Sequence, residues 1–168
     1  MPVEIRAVVV TVSDRRSSGN LTDESGLALI QLLQGMGADI LTAVIVPDDL
    51  EPLAAKLRMY ADMPEVNLVI TTGGTGLSPR DNTPEATRAV IEREAQGIAE
   101  AMRFETAKNT PLAMLSRGVC GIRGDTLIIN LPGSPKGVRE CFEVVKDVLP
   151  HALNLISGNS NHDEQSSA

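Results

Sequence analysis

Residues Ile5–Val12 read IRAVVVTV, an almost unbroken run of β-branched and small apolar residues that stops at Ser13-Asp14. A strand with one wet face alternates apolar and polar side chains, so a strand without alternation has to be covered on both faces. That requirement calls for helices on either side of a sheet, and the following residues supply them. After a polar loop, Ser13–Asn20, Thr22 can cap a helix that carries Asp23 and Glu24 in its first turn, with Leu27, Ile30 and Leu33 as its apolar stripe. Gly35 and Gly37 end it. Ile40–Val46 reads as a second strand closed by Pro47-Asp48-Asp49, Leu50 to about Met63 as a second helix stopped by Pro64, and Asn67–Thr72 as a third strand.

In the second half, Thr83-Pro84 opens a helix periodic to about Glu94, with Ala86, Val90 and Ile91 facing one way. Gly97 separates it from a helical stretch through Lys108, and Pro111 breaks the chain. Arg117–Arg123 and Asp125–Leu131 read as two strands joined across Gly124, Ser134-Pro135 starts a helix toward Val148, and Pro150 interrupts before a last helix, His151–Ile156. The alternation predicts one domain over residues 1–157. It is an α/β three-layer sandwich, a central mostly parallel sheet flanked by helices, with a disordered tail over residues 158–168. Open sheets of this type bind ligands at the carboxyl ends of their strands, near a switch in strand order. Four loops qualify: Ser13 onward, Pro47-Asp48-Asp49, Gly73–Asp81 and Pro132–Lys136.

Composition narrows the ligand. The net charge is −7 with basic residues scattered, which argues against a polynucleotide footprint. An anionic ligand would have to be met by backbone N–H groups, a few placed cations and a divalent metal. Cys120 and Cys141 have no histidine at zinc-finger spacing and read as buried thiols. No secretory leader and no apolar run of about eighteen residues is present, so a cytoplasmic protein without membrane contact is expected. Neither His151 nor His162 is assigned to catalysis.

Gly73-Gly74-Thr75-Gly76 follows a strand, where glycines let the backbone approach an anion and turn several N–H groups toward it. It matches neither GxxxxGK[ST] nor GxGxxG, and a tight turn without a ligand explains the same residues equally well. Pro132-Gly133-Ser134-Pro135-Lys136 joins a strand to a helix start, a natural anion site. There Lys136 opposes the helix dipole unless an anion binds or the side chain snorkels away. Asp48 and Asp81 follow two different strands and could bring two hard carboxylates to one rim, as Mg²⁺ with phosphates wants. Turn chemistry after Pro47 and an Asx turn before Thr83 are the competing explanations. Arg80, Arg117 and Arg123 could fork a phosphate or simply face solvent.

Taken in order, TVSD (Thr11–Asp14), IVPD (Ile45–Asp48), TTGGTGLSPRDNTPEAT (Thr71–Thr87), IEREAQG (Ile91–Gly97), MLSRGVCGIRGDTLIINLPGSPKG (Met114–Gly137) and ECF (Glu140–Phe142) resemble the Mog molybdopterin adenylyltransferases and the gephyrin G domain. The resemblance spans Ile5 to about Ile156. It implies a trimer acting in molybdenum cofactor synthesis, which uses Mg-ATP to transfer AMP to the terminal phosphate of molybdopterin with release of pyrophosphate, and hands its product to a molybdate-insertion protein. It implies that Gly73, Gly74, Thr75 and Gly76 hold the nucleotide phosphates and that Asp48 and Asp81 serve metal and catalysis. It also puts Gly133 and Ser134 near the nucleotide, to which charge adds Lys136. Ser13, Asp14, Ser116 and Arg117 match pocket positions and are expected to contact nucleotide or pterin. Asn82 stands where many relatives carry valine, which bears on how Asp81 is oriented. Molybdate-insertion and CinA-type domains share the glycine loop but carry extra domains, so the chain's ending soon after the shared fold is expected to mark a free-standing adenylyltransferase. A paralogue that binds molybdopterin or forms a trimeric scaffold without turnover is the alternative.

Overall fold

A computed structural model of the chain describes residues 2–159. Strands β1 (Arg6–Val12), β2 (Asp39–Val46), β3 (Leu68–Thr72), β4 (Arg93–Glu94), β5 (Cys120–Arg123) and β6 (Thr126–Leu131) form one sheet in the order β2-β1-β3-β6-β5-β4. The first four in that order run parallel; at the other edge β5 pairs antiparallel with β6, and β4 pairs antiparallel with β5. The expected mostly parallel, three-layer α/β architecture is therefore present.

The layers follow from alternation along the central strands. Ala7 and Val9 of β1, Leu68 and Ile70 of β3, and Leu127 and Ile129 of β6 pack on one face. Helices α2 (Glu24–Gly35), α5 (Gln96–Thr106), α6 (Pro135–Val145) and α7 (Leu149–Ile156) cover that face. Val8, Val10, Val69 and Ile128 point the other way, toward α3 (Leu50–Ala61) and α4 (Thr83–Arg88). Leu68, Ile70, Ile128 and Ile129 have no measurable exposure, as an unalternating sequence demands. β1 leads to β2 on one side while β3 lies on its other side, so the order reverses between β1 and β3. The loops after β1, β2, β3 and β6 leave the same edge, where such sheets bind ligands.

Local departures from expectation have local causes. The loop after β1 contains one helical turn, α1 (Asp14–Ser17), capped by Ser13. Asp23, not Thr22, caps α2. Its Oδ1 accepts from Gly26 N–H at 2.9 Å and its Oδ2 from Thr11 Oγ1 at 2.8 Å, anchoring the helix to β1 as a residue inside the first turn could not. Of the expected stripe, Leu33 is buried and Ile30 packs partly buried against the core, but Leu27 is exposed and Ala28 and Leu29 take its place. The helix from Thr83 stops at Arg88 rather than near Glu94. Glu92 N–H and Ala95 N–H donate to Ile122 and Cys120 carbonyls at 2.8 Å each, and this ladder with β5 outcompetes further helix. Residues 117–119 lie outside β5. Pro111 starts a 3₁₀ turn, Pro111–Leu115, and Pro150 sits in the first turn of α7, where its missing N–H costs nothing. Most of the tail expected over 158–168, with His162, lies outside the described residues.

Candidate functional site

The ends of β1, β3 and β6 meet through backbone alone. Gly73 has φ +99°, and a Cβ there would lie 2.3 Å from the Val12 carbonyl oxygen; one on Gly133 would lie 3.2 Å from Gly73 Cα. Any side chain at Gly73 would drive the strand ends apart. Gly74 also has positive φ, +68°, and its carbonyl accepts from Thr83 N–H at 3.1 Å while Thr83 Oγ1 donates to the Gly73 carbonyl at 2.8 Å. With these carbonyls engaged, the loop is fixed by the start of α4.

Two acids rim this loop. A Cβ on Gly74 would stand 3.2 Å from Asp48 Oδ1, and one on Gly76 would stand 2.9 Å from Asp81 Oδ2. Asp81 Oδ2 accepts from Ser78 N–H at 3.0 Å, and Asp81 N–H donates to the Ser78 carbonyl at 2.9 Å, so the carboxylate reaches back toward the glycines rather than forward into an Asx turn. Asp48 and Asp14 exchange hydrogen bonds: Asp14 N–H donates to Asp48 Oδ2 at 3.0 Å and Asp48 N–H to Asp14 Oδ1 at 2.9 Å. Arg80 forks Asp14 at 2.6 and 3.0 Å and reaches Asp49 at 3.2 Å. Its guanidinium holds the Asp14 carboxyl below the ordinary carboxylate range. Asp48 behaves oppositely: burial raises its pKa, and the charges of Asp14 and Asp81 raise it further. Asn82 Nδ2 donates to the Asp48 carbonyl at 2.9 Å, so the residue that departs from the usual valine ties the two acidic loops together.

Beside the loop lies a cavity of about 470 Å³. Gly74, Thr75, Gly76, Asp81, Ser116, Gly133 and Ser134, all singled out from sequence, line it. Its other walls mix apolar residues, Ala99 and Met102 on α5, Leu112 and Leu115 on the 3₁₀ turn and Cys141 on α6, with polar ones, among them Arg103, Thr106 and Glu140. Ser134 caps α6, its Oγ accepting from Gly137 N–H at 3.0 Å, and Ser116 Oγ accepts from Gly118 N–H at 3.3 Å. Ser13, Asp14 and Asp48 lie outside the cavity lining, on the far side of Gly74.

Two cations have other duties. Arg117 Nε donates to Gly76 O at 2.8 Å and its Nη2 to Asp81 O at 2.7 Å, while Nη1 pairs with Glu85, so its donors clamp the Gly76–Asp81 turn from behind. Lys136 is well exposed, 3.9 Å from Glu140 one turn on, and does not line the cavity. Arg123 forks Asp62 at 2.8 and 3.1 Å, away from the site. Cys120 and Cys141 are buried thiols whose pKa values burial pushes up to about 12 and about 11. Sequence reasoning missed Met102, Leu112, Leu115, Glu140 and Cys141. The last two follow Ser134 and Gly137 at helical spacing, a signal that was present; the 3₁₀ wall had none, since Pro111 read only as a break.

A doubly wound α/β sheet whose switch-point loops bring together glycine backbone, an acid pair and an adjoining cavity places these residues where folds of this class bind ligands. The comparisons refine this. Residues 8–151 match the family MoCF_biosynth, described as a probable molybdopterin binding domain. The chain is 42% identical over 153 residues to the molybdopterin adenylyltransferase of Helicobacter pylori strain J99, covering 90% of this chain and 87% of that one. It is 45% identical over 149 residues to the molybdenum cofactor synthesis protein cinnamon of Drosophila melanogaster, covering 88% of this chain but spanning only 25% of that protein. The crystal structure of the molybdopterin biosynthesis enzyme MoaB from Thermus thermophilus superposes with a TM-score of 0.86 at 49% identity, covering 92% of this chain and 97% of that one. The chain belongs to this molybdopterin-binding Mog/MoaB family of molybdenum cofactor biosynthesis proteins. Among the described residues no helix is long and apolar enough to cross a membrane.

Proposed function

We propose that the chain is a molybdopterin adenylyltransferase, transferring AMP from Mg-ATP to the terminal phosphate of molybdopterin and releasing pyrophosphate. The observation that carries this is the juxtaposition of Asp48 and Asp81 over the Gly73–Gly76 loop beside the cavity. A phosphate oxygen of the pterin substrate forms the new bond to the α-phosphorus, and the bond to the bridging oxygen breaks in line, with pyrophosphate leaving with the electron pair. The attacking phosphate is ionised near neutral pH, so the protein contributes position and charge compensation rather than a base. N–H groups of the glycine loop and of the Ser134-capped start of α6 donate to phosphate oxygens, with Gly133 giving the backbone room.

Asp48 and Asp81 fit Mg²⁺. They are hard oxygen donors, and Asp48, its pKa raised first by burial and then by the charges of Asp14 and Asp81, stands in surroundings whose negative charge a divalent cation would offset. No group of three or more metal-binding side chains occurs among the described residues, so the nucleotide phosphates and water would complete the shell. Bound there, Mg²⁺ would neutralise charge on the phosphates. Ser13, Asp14 and Arg80 then position Asp48, Ser116 borders the pterin side, Arg117 acts through the loop it clamps, and Lys136 stands back from both ligands. The reading extends to a cytoplasmic homotrimer that hands its product to a molybdate-insertion protein.

A second reading, in which the chain binds molybdopterin without transferring AMP, rests on its likeness to MoaB, whose name specifies molybdopterin biosynthesis but no adenylyl transfer. Purified protein is incubated with molybdopterin and Mg-ATP, and adenylylated pterin and pyrophosphate are measured beside Asp81→Asn. The transferase reading requires product from wild type and a loss of at least about 100-fold in the variant. Tight pterin binding with no product, where the H. pylori enzyme makes it, selects the second reading. Sedimentation in the same buffer tests the trimer.

A further inference from the structure

The cavity has two chemical ends. Near the glycine loop it is polar, with Asp81 at the rim. Away from the loop it becomes a slot between Met102 of α5, Leu112 and Leu115 of the 3₁₀ turn, and Cys141 of α6. Such walls suit a flat heterocycle, yet one carboxylate, Glu140, stands among them. Ser134, Gly137, Glu140 and Cys141 recur at i, i+3 and i+4 along α6 and put this stripe on the cavity side. The Glu140 side chain is only 21% exposed, against 68% for Glu143 on the same helix. Its recorded ion pair, with Lys136 Nζ at 3.9 Å, is too long for a hydrogen bond, and Lys136 itself is 77% exposed. The cavity's arginine, Arg103, donates to the Gly118 carbonyl at 2.8 Å, and the Cys141 thiol stays neutral. Glu140 is thus a mostly covered carboxylate in the cavity lining, with no donor at hydrogen-bonding distance among the described residues.

Two heterocycles are candidates for the slot, and a carboxylate tells them apart. The 2-amino-4-oxo edge of a pterin presents two adjacent N–H donors, N2–H and N3–H, which match both carboxylate oxygens as a guanidinium does. Adenine presents one exocyclic donor beside the ring nitrogen N1, whose lone pair an ionised carboxylate would face. We infer that Glu140 reads the 2-amino-4-oxo edge of the pterin, so that the slot holds pterin rather than adenine and Glu140 sets the choice. This rests on the molybdopterin reading of the cavity but not on turnover.

The test is equilibrium binding to the full chain without ATP, followed by pteridine fluorescence, with 6-hydroxymethylpterin and 6-hydroxymethyllumazine, in which an oxo group replaces the 2-amino group. Mg-ATP affinity is measured separately. Wild type should prefer the pterin by about tenfold or more, the scale of a lost charge-assisted hydrogen-bond pair. Glu140→Gln, which preserves shape, and Glu140→Ala should bring the two probes within about twofold of each other while Mg-ATP affinity is unchanged. Under turnover, KM for molybdopterin rises with kcat little altered. Equal binding of both probes to wild type, no binding of either, unchanged discrimination in both variants, or loss of Mg-ATP affinity instead would each overturn the assignment. If wild type discriminates but transfers no AMP, the transferase reading fails and the role of Glu140 stands.

Discussion

Gly76→Ala isolates the placement of Asp81 from the stability of the fold. Gly76 is outside the positive-φ glycines, so alanine introduces no backbone strain there. The new methyl would meet Asp81 Oδ2 at 2.9 Å and Asp81 Cγ at 3.9 Å, and nothing else within 4 Å. A comfortable C···O contact is about 3.3 Å or more, so the carboxylate withdraws by roughly 0.4 Å or rotates, weakening its 3.0 Å bond from Ser78 N–H. That exposed bond contributes about 1 kcal/mol at most, and the glycine-to-alanine gain in the unfolded chain, about 0.4–1 kcal/mol, offsets it. The melting temperature should therefore move by less than about 3 °C. Catalysis responds differently, because displacements of this order at a reacting centre cost about 10- to 100-fold. Thermal melts, Mg-ATP titration and pyrophosphate release on the same preparation separate the two. Wild-type kcat/KM in Gly76→Ala, with Asp81→Asn inactive, would refute the claim that this close approach places the acid. Gly73→Ala is the contrasting control: φ +99° and a 2.3 Å approach to Val12 O make it unfold the site.

Asp48 carries a pH signature. Its folded pKa lies above its unfolded value, so the folded state binds more protons and stability falls as pH rises from the ordinary carboxylate range through the raised pKa. Asp48→Asn, whose amide oxygen still accepts from Asp14 N–H, should melt higher than wild type at pH 7 but not below pH 3, while losing transfer activity; a lower melt at pH 7 contradicts the stored repulsion. Arg117→Ala removes donors to Gly76 O and Asp81 O and the partner that depresses the Glu85 pKa. Because the side chain is one-third exposed, the cost should be about 1–2 kcal/mol, or about 3–6 °C. The Glu85 contribution, present above its unfolded pKa and lost on acidification, should vanish from the acid limb of the pH–stability curve. Asn130→Leu strands Val119 N–H and removes the amide donor to Thr71 Oγ1 and Thr87 Oγ1, all bonded to the buried amide at 2.9–3.0 Å, while Thr87 Oγ1 keeps its bond to the Thr83 carbonyl; denaturant unfolding should show a loss of about 2–4 kcal/mol, and a loss under 1 kcal/mol would mean that this network is dispensable.

The strands were legible because each is a local apolar pattern. β1, β2 and β3 fall within a residue or so of where their β-branched runs place them, and the parallel order follows from the intervening helices. What failed was what a distant partner decides. Val90 and Ile91 extend a helical spacing, but β5 takes the backbone just beyond them, Glu92–Ala95, into a ladder. Thr22 and Asp23 are equivalent cap candidates until Thr11, twelve positions before Asp23, selects Asp23. At the candidate site, the structure brings together the glycines and acids that the strand-end loops single out, whereas an arginine looks the same in sequence whether it binds phosphate or clamps a carbonyl. Arg80 and Arg117 were candidates for phosphate on chemistry alone, and the structure shows both already occupied by protein oxygens.

That occupation bears on how a chain of net charge −7 receives anionic ligands. Arg80 is forked by Asp14 and reaches Asp49, Arg117 is paired with Glu85, and Arg103 is spent on Gly118 O, so the site's guanidinium charges are largely compensated before any ligand arrives. Long-range attraction therefore contributes little, and phosphate must be met by short-range donors fixed by the fold. Glycine is the residue that permits this, since only bare backbone lets Gly73 and Gly133 approach while leaving Gly74–Gly76 uncovered. The arginines act one step back: Arg80 restrains Asp14, which holds Asp48 through paired hydrogen bonds, and Arg117 restrains the turn that carries Asp81. Like charges are thereby held together, and they add to the burial that raises the pKa of Asp48. On the proposed reading, their repulsion is relieved when a divalent cation and nucleotide bind, so what weakens the empty fold favours ligand in the assembled site.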